Sequence, residues 1–315
     1  MSLGAFQYVY GPVPSRRLGR SLGVDLVPFK TCTYDCVYCQ LGRTTNRTLV
    51  RDAYVPVDAV LAELERKLAG GDVPDCITLA GSGEPTLHSG IGRVIARIRE
   101  RTDVPVAVLT NGSLLWMKDV QDDLMQAELV IPSLDAGDDR LFQTVNRPHE
   151  ELSFERVMDG MAEFVRRFPG ETWLEILLLA GVTGMPAEVR KIADLAARIG
   201  PARIQLNTVS RPPADEFAFP LSDGQMQALR GLFPEPVDVL CDRTAGNGND
   251  ASPVPVEDSD ILALLRRRPC TSGEVATGLG IHVADAIKRL NRLIAAGSIR
   301  WVVSGAKNVY RATDS

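Results

Sequence analysis

The sequence predicts an α/β fold: parallel βα units forming one large domain, then a small helical domain ending in a β-hairpin. Three observations carry this. Short β-branched runs alternate with amphipathic stretches, each run ends in a polar or glycine-rich loop, and past Asp238 the pattern changes. A length of 315 residues exceeds one ordinary domain, and the expected division is 1–240, a linker over 241–257, and 258–315.

The expected strands, in order, are SLGVDLV (21–27), DCITLA (75–80), VPVAVLT (104–110), AELVIPS (127–133), TWLEILLLA (172–180) and ARIQLNT (202–208). They are apolar nearly throughout, as parallel strands covered on both faces should be. Between them VDAVLAELERKLAGG, IGRVIARIRER, FERVMDGMAEFVRRF and PAEVRKIADLAARIG carry helical periodicity, the first stopping on glycines. Six alternations indicate a parallel sheet, curved into a barrel or left open. Polar groups follow every strand: the cysteine stretch, GSGEPTLH (81–88), Asn111, Ser133 with Asp135, GVTG (181–184), and Asn207 with Arg211. In a βα barrel the strand ends share one face, so one site is expected there.

The stretch 240–260 is rich in Gly, Asn, Asp, Ser and Pro and reads as a linker. Residues 258–315 hold nine Lys/Arg against five acids, a formal +4 that leaves −9 for the rest of a chain of net charge −5. Within them DILALLRRR, TSGEVATGLG and HVADAIKRLNRLIAAG predict three helices, and SIRWVVSGAKNVYRA predicts a hairpin turning at Ser304-Gly305. This resembles a winged helix-turn-helix. Lys288, Arg289 and Arg292 on its putative second helix offer a face for phosphates, while peptide docking, dimer formation or covering the barrel mouth are equally good uses.

Composition excludes some classes. With 45% hydrophobic and 24% charged residues the chain is neither disordered nor membrane-like. Its longest apolar run, Trp173 to Val182, contains Glu175 and is too short to span a bilayer. MSLGAFQYVYGP has no basic n-region or apolar h-region, so no membrane contact and a cytoplasmic location are expected. Six cysteines are too few and too clustered for a disulfide scaffold.

Half of those cysteines lie in KTCTYDCVYCQ, where Cys32, Cys36 and Cys39 form C-x3-C-x2-C. Three thiolates can hold three irons of a [4Fe-4S] cubane and leave the fourth open to a ligand. Zinc competes, but structural zinc wants four ligands, and the nearest histidine in sequence is His88.

This spacing, with Tyr38 before the last cysteine, resembles the signature of the radical S-adenosylmethionine (SAM) superfamily. GSGEPTLH is similar to that family's glycine-glycine-glutamate motif, through Gly83 and Glu84, and SLDA to its fourth-strand ribose contact, through Ser133 and Asp135. The resemblance covers roughly residues 20–235 and implies a partial (βα)6 TIM-type barrel, a [4Fe-4S] cluster on Cys32, Cys36 and Cys39, and SAM on the open iron. One electron from the cluster would then cleave SAM to methionine and a 5′-deoxyadenosyl radical that abstracts a hydrogen atom. On that reading Gly81 and Gly83 allow close approach to the methionine moiety, the Glu84 region accepts from its ammonium, and Tyr38 faces adenine. Asn111, Arg147 and Asn207 complete the expected cofactor contacts. For Asp135 a helix N-cap before GDDRLF is the plain alternative.

GPVPSRRLGR through QLGRTT, TVNRP and LNTVSRPPADE resemble the branch containing the tRNA wyosine-base synthases and their uncharacterised bacterial relatives. Those synthases carry a second cluster on upstream cysteines, and no cysteine precedes Cys32 here. Cys76 is expected in the core, Cys241 and Cys270 in the linker and small domain. Arg16, Arg17, Arg20, Arg43, Arg47 and Arg51 are either phosphate or carboxylate contacts or charged surface. Asn146-Arg147 and Arg211 suit a substrate or cofactor carboxylate better, and Lys30 suits a structural salt bridge.

Two functions follow. One is a radical SAM enzyme, fed by a one-electron reductant such as flavodoxin or ferredoxin, acting on an RNA base, peptide or small metabolite that the winged helix helps to dock. The other is a DNA-binding regulator that senses the cluster and SAM. Removing residues 250–315 is expected to leave uncoupled SAM cleavage intact but to weaken substrate turnover.

Overall fold

The structure is a computed structural model that describes residues 6–71, 73–240, 256–304 and 307–313. The linker stretch 241–255, Cys241 and the Gly305 half of the expected hairpin turn lie outside the described residues.

All six expected strands form: β2 (Gly19–Val24), β5 (Cys76–Leu79), β6 (Val106–Thr110), β7 (Leu129–Pro132), β8 (Glu171–Leu178) and β9 (Arg203–Thr208). They pair in parallel in that order. Two further strands extend the sheet, β10 (Val237–Val239) parallel to β9, and β1 (Val9–Ser15) antiparallel to β2. The resulting order is β1-β2-β5-β6-β7-β8-β9-β10. β1 was not expected because VYGPVPS carries two prolines, which a sheet tolerates only at an edge or bulge. Here β1 is the edge and its register shifts between Tyr10 and Val13. A two-residue pair, β3 (Thr31–Cys32) with β4 (Asn46–Arg47), anchors the first strand-end loop.

The helices pack where their periodicity aims them. α1 (Val57–Leu68) buries Val57, Val60, Leu61 and Leu64, and α2 (Ile91–Arg99) buries Ile91, Val94, Ile95 and Ile98, steps of three and four that make one apolar stripe. α5 (Phe154–Arg167) and α6 (Pro186–Ile199) do the same, α6 ending on Gly200 in the left-handed region. These stripes and the sheet share one core, each fully buried aliphatic side chain contributing about 1.5–3 kcal/mol. α3 (Lys118–Leu124), the single turn α4 (Asp139–Leu141) and α7 (Asp223–Arg230) are short and were not anticipated.

Among the described residues no ladder joins β1 to β10, so there the sheet does not close through its backbone. The β1–β2 turn bridges the gap instead. Arg16 donates to the Leu240 carbonyl at 3.0 Å and to Asn207 Oδ1 at 3.1 Å, and Arg17 pairs with Glu175 at 2.9 Å. Long cationic side chains span a gap that strands leave open.

The C-terminal residues form α8 (Asp258–Arg267), α9 (Ser272–Leu279), α10 (Val283–Ala295) and an antiparallel hairpin of β11 (Ile299–Ser304) and β12 (Lys307–Ala312). They have their own core around Leu264, Leu265, Val275, Leu290 and Ile299, and Val13 of β1 belongs to it. Gly278 of α9 lets the helix press on β1: a Cβ there would sit 3.0 Å from Pro14 Cδ and 3.1 Å from the Pro12 carbonyl. Among the described residues no helix is long and apolar enough to cross a membrane.

Candidate functional site

The cysteine loop is held on both sides by other strand-end loops. The Lys30 N–H donates to the Ser82 carbonyl at 2.7 Å and the Glu84 N–H to the Thr31 carbonyl at 3.1 Å. On the other side Asp35 N–H reaches the Asn146 carbonyl and Val37 N–H the Val145 carbonyl. Cys32, Cys36 and Cys39 are free thiols lining one cavity of about 460 Å³. Burial pushes the Cys32 thiol up to about 12, helped by nearby Glu84, and raises Cys36 and Cys39 as well. Such thiols stay neutral near pH 7 unless a metal displaces their protons. The side-chain amides of Asn111 and Asn146 stand 3.6 Å from the sulfurs of Cys32 and Cys36, ready to donate to them.

Among the described residues no three His, Cys, Asp or Glu side chains converge where one metal ion could sit. Mononuclear zinc needs ligands that all meet at one atom, whereas a cubane spreads three thiolates over three irons. His88 is no fourth ligand: its Nε2 faces the Val55 carbonyl at 2.9 Å and its Nδ1 accepts from the Gly90 N–H.

The cavity is also lined by Tyr38, Gly81, Gly83, Glu84, Asn111, Ser133 and Asn207, so seven of the nine expected cofactor contacts meet the three cysteines there. Glu84 and the two glycines also make contacts within the protein. The Glu84 carboxylate is 2% exposed and accepts from Thr86 N and Oγ1, Thr110 Oγ1 and Asn111 N at 2.6–3.1 Å. It ties the loop after β5 to the loop after β6, which leaves little of it for a ligand ammonium. Burial raises its pKa despite those donors. Gly83 is glycine because a Cβ would lie 1.7 Å from the Thr31 carbonyl oxygen, and Gly81, at φ 149°, because a Cβ would lie 2.7 Å from Asp25 Cγ. The close approaches these glycines permit are to protein atoms.

Asp135 and Arg147 do not line the cavity. Asp135 is 3% exposed and sits behind Tyr38, accepting from the Tyr38 hydroxyl, from Asn146 Nδ2 at 2.9 Å and from the Leu177 N–H at 3.0 Å. Burial pushes its carboxyl up to about 6 against those three donors. It is not the helix cap either: Asp138 caps α4 by accepting from the Leu141 N–H. Arg147, left-handed at φ 47°, pairs with Asp215 at 2.7 Å, and Arg43 bridges Asp215 and Asp35. These pairs clamp the cysteine loop to the stretch after β9.

Other basic residues are likewise engaged. Arg51 pairs with Asp119 and Asp123, and Arg47 donates to the Arg147 carbonyl. Arg211 lines the cavity but is held by Glu274 and the Pro269 carbonyl of the C-terminal segment. The salt bridge expected of Lys30 does not form: its ammonium is buried without a hydrogen-bond partner, 6.0 Å from the Phe29 ring. Burial lowers its pKa. Cys76 and Cys270 are buried apart from the loop, Cys76 in β5 and Cys270 beside the Arg268 carbonyl.

Three residues at the site were not singled out from sequence. Asp25 is the one charge inside SLGVDLV, and that was its signal. Arg267 and Arg268, which line the cavity from α8 and the turn after it, entered the sequence reading only through the charge of residues 258–315.

The pattern of the Radical SAM superfamily matches residues 26–196, more than half of the chain. The chain is 32% identical over 264 residues to a UPF0026 protein of Methanocaldococcus jannaschii, covering 82% of each, and 31% identical over 308 residues to one of Helicobacter pylori strain J99, covering 96% of this chain and 97% of that one. It is 38% identical over 298 residues to a protein of Brachyspira hyodysenteriae named GTPase Obg, covering 93% of this chain but only 43% of that one. No G-x4-G-K-[ST] phosphate loop occurs in this sequence. Among solved structures, a radical SAM methyltransferase from Sphaerobacter thermophilus matches with a TM-score of 0.54 at 20% identity, over 70% of this chain and 66% of that one. Streptococcus suis SuiB matches with a TM-score of 0.50 at 14% identity, over 66% of this chain and 45% of that one. At such identities the likeness is one of fold.

Proposed function

The chain belongs to the radical SAM superfamily and, within it, to the UPF0026 proteins, and on that footing we propose that it holds a [4Fe-4S] cluster on Cys32, Cys36 and Cys39, binds SAM beside it, and removes a hydrogen atom from its substrate. The observation that carries the reading is the meeting of three free thiols with polar groups from the loops after β2, β5, β6, β7 and β9 around one cavity. The pair would supply an electron and a 5′-deoxyadenosyl radical there. The chain's own groups do the rest. Asn111 and Asn146 donate to two of the ligand sulfurs, which tunes a cluster's potential. Asp135 and Asn146 fix the Tyr38 ring on the cavity wall. Ser133 offers a hydroxyl to a ribose or carboxylate, Asn207 is held between Arg16 and Glu175, and Glu84 keeps two binding loops in register.

Anaerobic reconstitution with iron and sulfide, followed by reduction and assay for 5′-deoxyadenosine, tests this. SAM cleavage that disappears in Cys36→Ala together with the cluster's visible absorption is the expected result. No cleavage by the wild type, with Cys36→Ala giving the same spectrum, would sink the enzyme reading.

The surrounding architecture supports a partial barrel of residues 1–240 joined to a winged helix of 258–315. The sequence likeness to wyosine-base synthases adds an RNA base to the substrate classes in play, beside a peptide and a small metabolite. A flavodoxin or ferredoxin in the cytoplasm is the natural electron donor. The regulator alternative finds no support. On α10, Arg289 pairs with Asp258 and Asp285, and Arg292 with Asp258, so two of the three cations on the supposed phosphate face are already neutralised.

A further inference from the structure

The C-terminal segment reaches into the cavity through arginines. The Arg267 guanidinium donates from Nε to Asp25 Oδ2 at 2.8 Å and from Nη2 to the Gln7 carbonyl, and lies 4.9 Å from the Tyr10 ring centroid. Asp25, 4% exposed, in turn accepts from the Ser82 N–H at 3.1 Å and from the Ser82 hydroxyl. Its carboxyl group also occupies the space beside Gly81 that a Cβ would need. Tyr10, under the same guanidinium, donates to the Ala80 carbonyl at 3.2 Å. All of residues 80–82, the loop expected to receive the methionine end of SAM, is therefore fixed by Asp25 and Tyr10, and both are fixed by Arg267. A second arginine, Arg311 of β12, donates to the Leu41 carbonyl at 2.8 Å, just past Cys39.

We propose that Arg267 is a positioning residue for the cofactor: through Asp25 it holds the Gly81–Ser82 loop in its SAM-receiving form, which makes the C-terminal segment part of the cofactor site. This rests on the reading above that SAM binds beside the cluster. A carboxylate as buried as Asp25 must be paired, and without its cation it would turn toward water, releasing Ser82. The charge alone does not hold the loop; the fork of the guanidinium, shared between Asp25 and the Gln7 carbonyl, gives the direction.

The test uses the full-length, reconstituted protein and SAM itself as probe. SAM affinity is read from the change SAM causes in the electron paramagnetic resonance spectrum of the reduced cluster, with iron content and thermal midpoint measured in parallel. Arg267→Ala is expected to weaken SAM binding about tenfold or more with iron content unchanged, and Arg267→Lys to recover part of the loss. Arg267→Met combined with Asp25→Asn removes both charges, which spares the fold the cost of a lone buried ion; it is expected to keep the wild-type midpoint and iron content and still bind SAM weakly. Arg300→Ala, on the exposed face of β11, serves as the control. SAM affinity within twofold of wild type in the double variant would overturn the proposal, as would a loss of SAM binding that only tracks lost iron. If the wild type itself gives no SAM-dependent spectrum, it is the functional reading that fails, and the two failures are thus distinct.

Discussion

Gly83 shows how tightly single residues are specified here. Its missing side chain lets the loop after β5 lie against the strand that carries Cys32, with the Glu84 N–H on the Thr31 carbonyl at 3.1 Å. A methyl group at 1.7 Å from a backbone oxygen cannot be relieved by a side-chain rotation. Gly83→Ala is therefore expected to push β3 away, lowering stability by roughly 1–3 kcal/mol and, more tellingly, lowering iron bound on reconstitution; a variant that loads iron like wild type would show that the loops are less closely coupled. Asp135 gives the complementary lesson. The motif SLDA drew it toward a ribose, but the backbone turns it behind Tyr38, where it meets three donors.

At the scale of elements, α8 and α9 are joined to the sheet by ions as much as by apolar contact. Glu274 of α9 takes Arg211, from the stretch after β9, and Arg268 at 2.8 Å. Burial works against its charge, yet the two guanidinium groups outweigh burial and hold the carboxyl down at about 2, below its ordinary 4.5. A depressed carboxyl stabilises the fold above the unfolded pKa and loses that contribution as pH falls through the folded one. The stabilisation, on the order of 2–3 kcal/mol, is therefore full above about pH 5 and declines from there toward pH 2. Denaturant midpoints of wild type and Glu274→Gln should differ by a constant amount at neutral pH and converge below pH 4.5. Equal midpoints at pH 7 would mean that the Arg211–Glu274–Arg268 group contributes nothing.

For the whole molecule, the same contacts reverse an expectation. A linker rich in Gly, Asn and Pro argued for a detachable C-terminal domain whose removal would spare SAM cleavage. Instead Arg267 meets a buried aspartate under the loop after β5, Arg268 meets the Pro14 carbonyl at 3.0 Å, Arg311 meets the cysteine loop, and α9 covers the β1 edge. Removing residues 250–315 is now expected to expose Val13, leave Asp25 unpaired and abolish most SAM binding. Undiminished cleavage by the truncated chain would restore the two-domain picture. The basic excess of this segment has a related explanation, because Arg267, Arg268, Arg289, Arg292 and Arg311 all bond within the chain.

The sequence by itself determined the parallel sheet, the three C-terminal helices with their hairpin, and the three thiols with most of the polar groups around them. These are local properties: period-two and period-3.6 patterns survive in a linear string, and strand ends of a parallel sheet share a face whatever else the chain does. It misjudged β1 because proline and glycine signal a break unless the strand is known to be an edge. Only the tertiary structure decided which charges face the cavity and which hold the walls together. An arginine reads alike in a surface run and over a buried aspartate. What separates Arg266 on the surface from Arg267 on Asp25 is one step around a helix, and the partner lies 242 residues away in the chain.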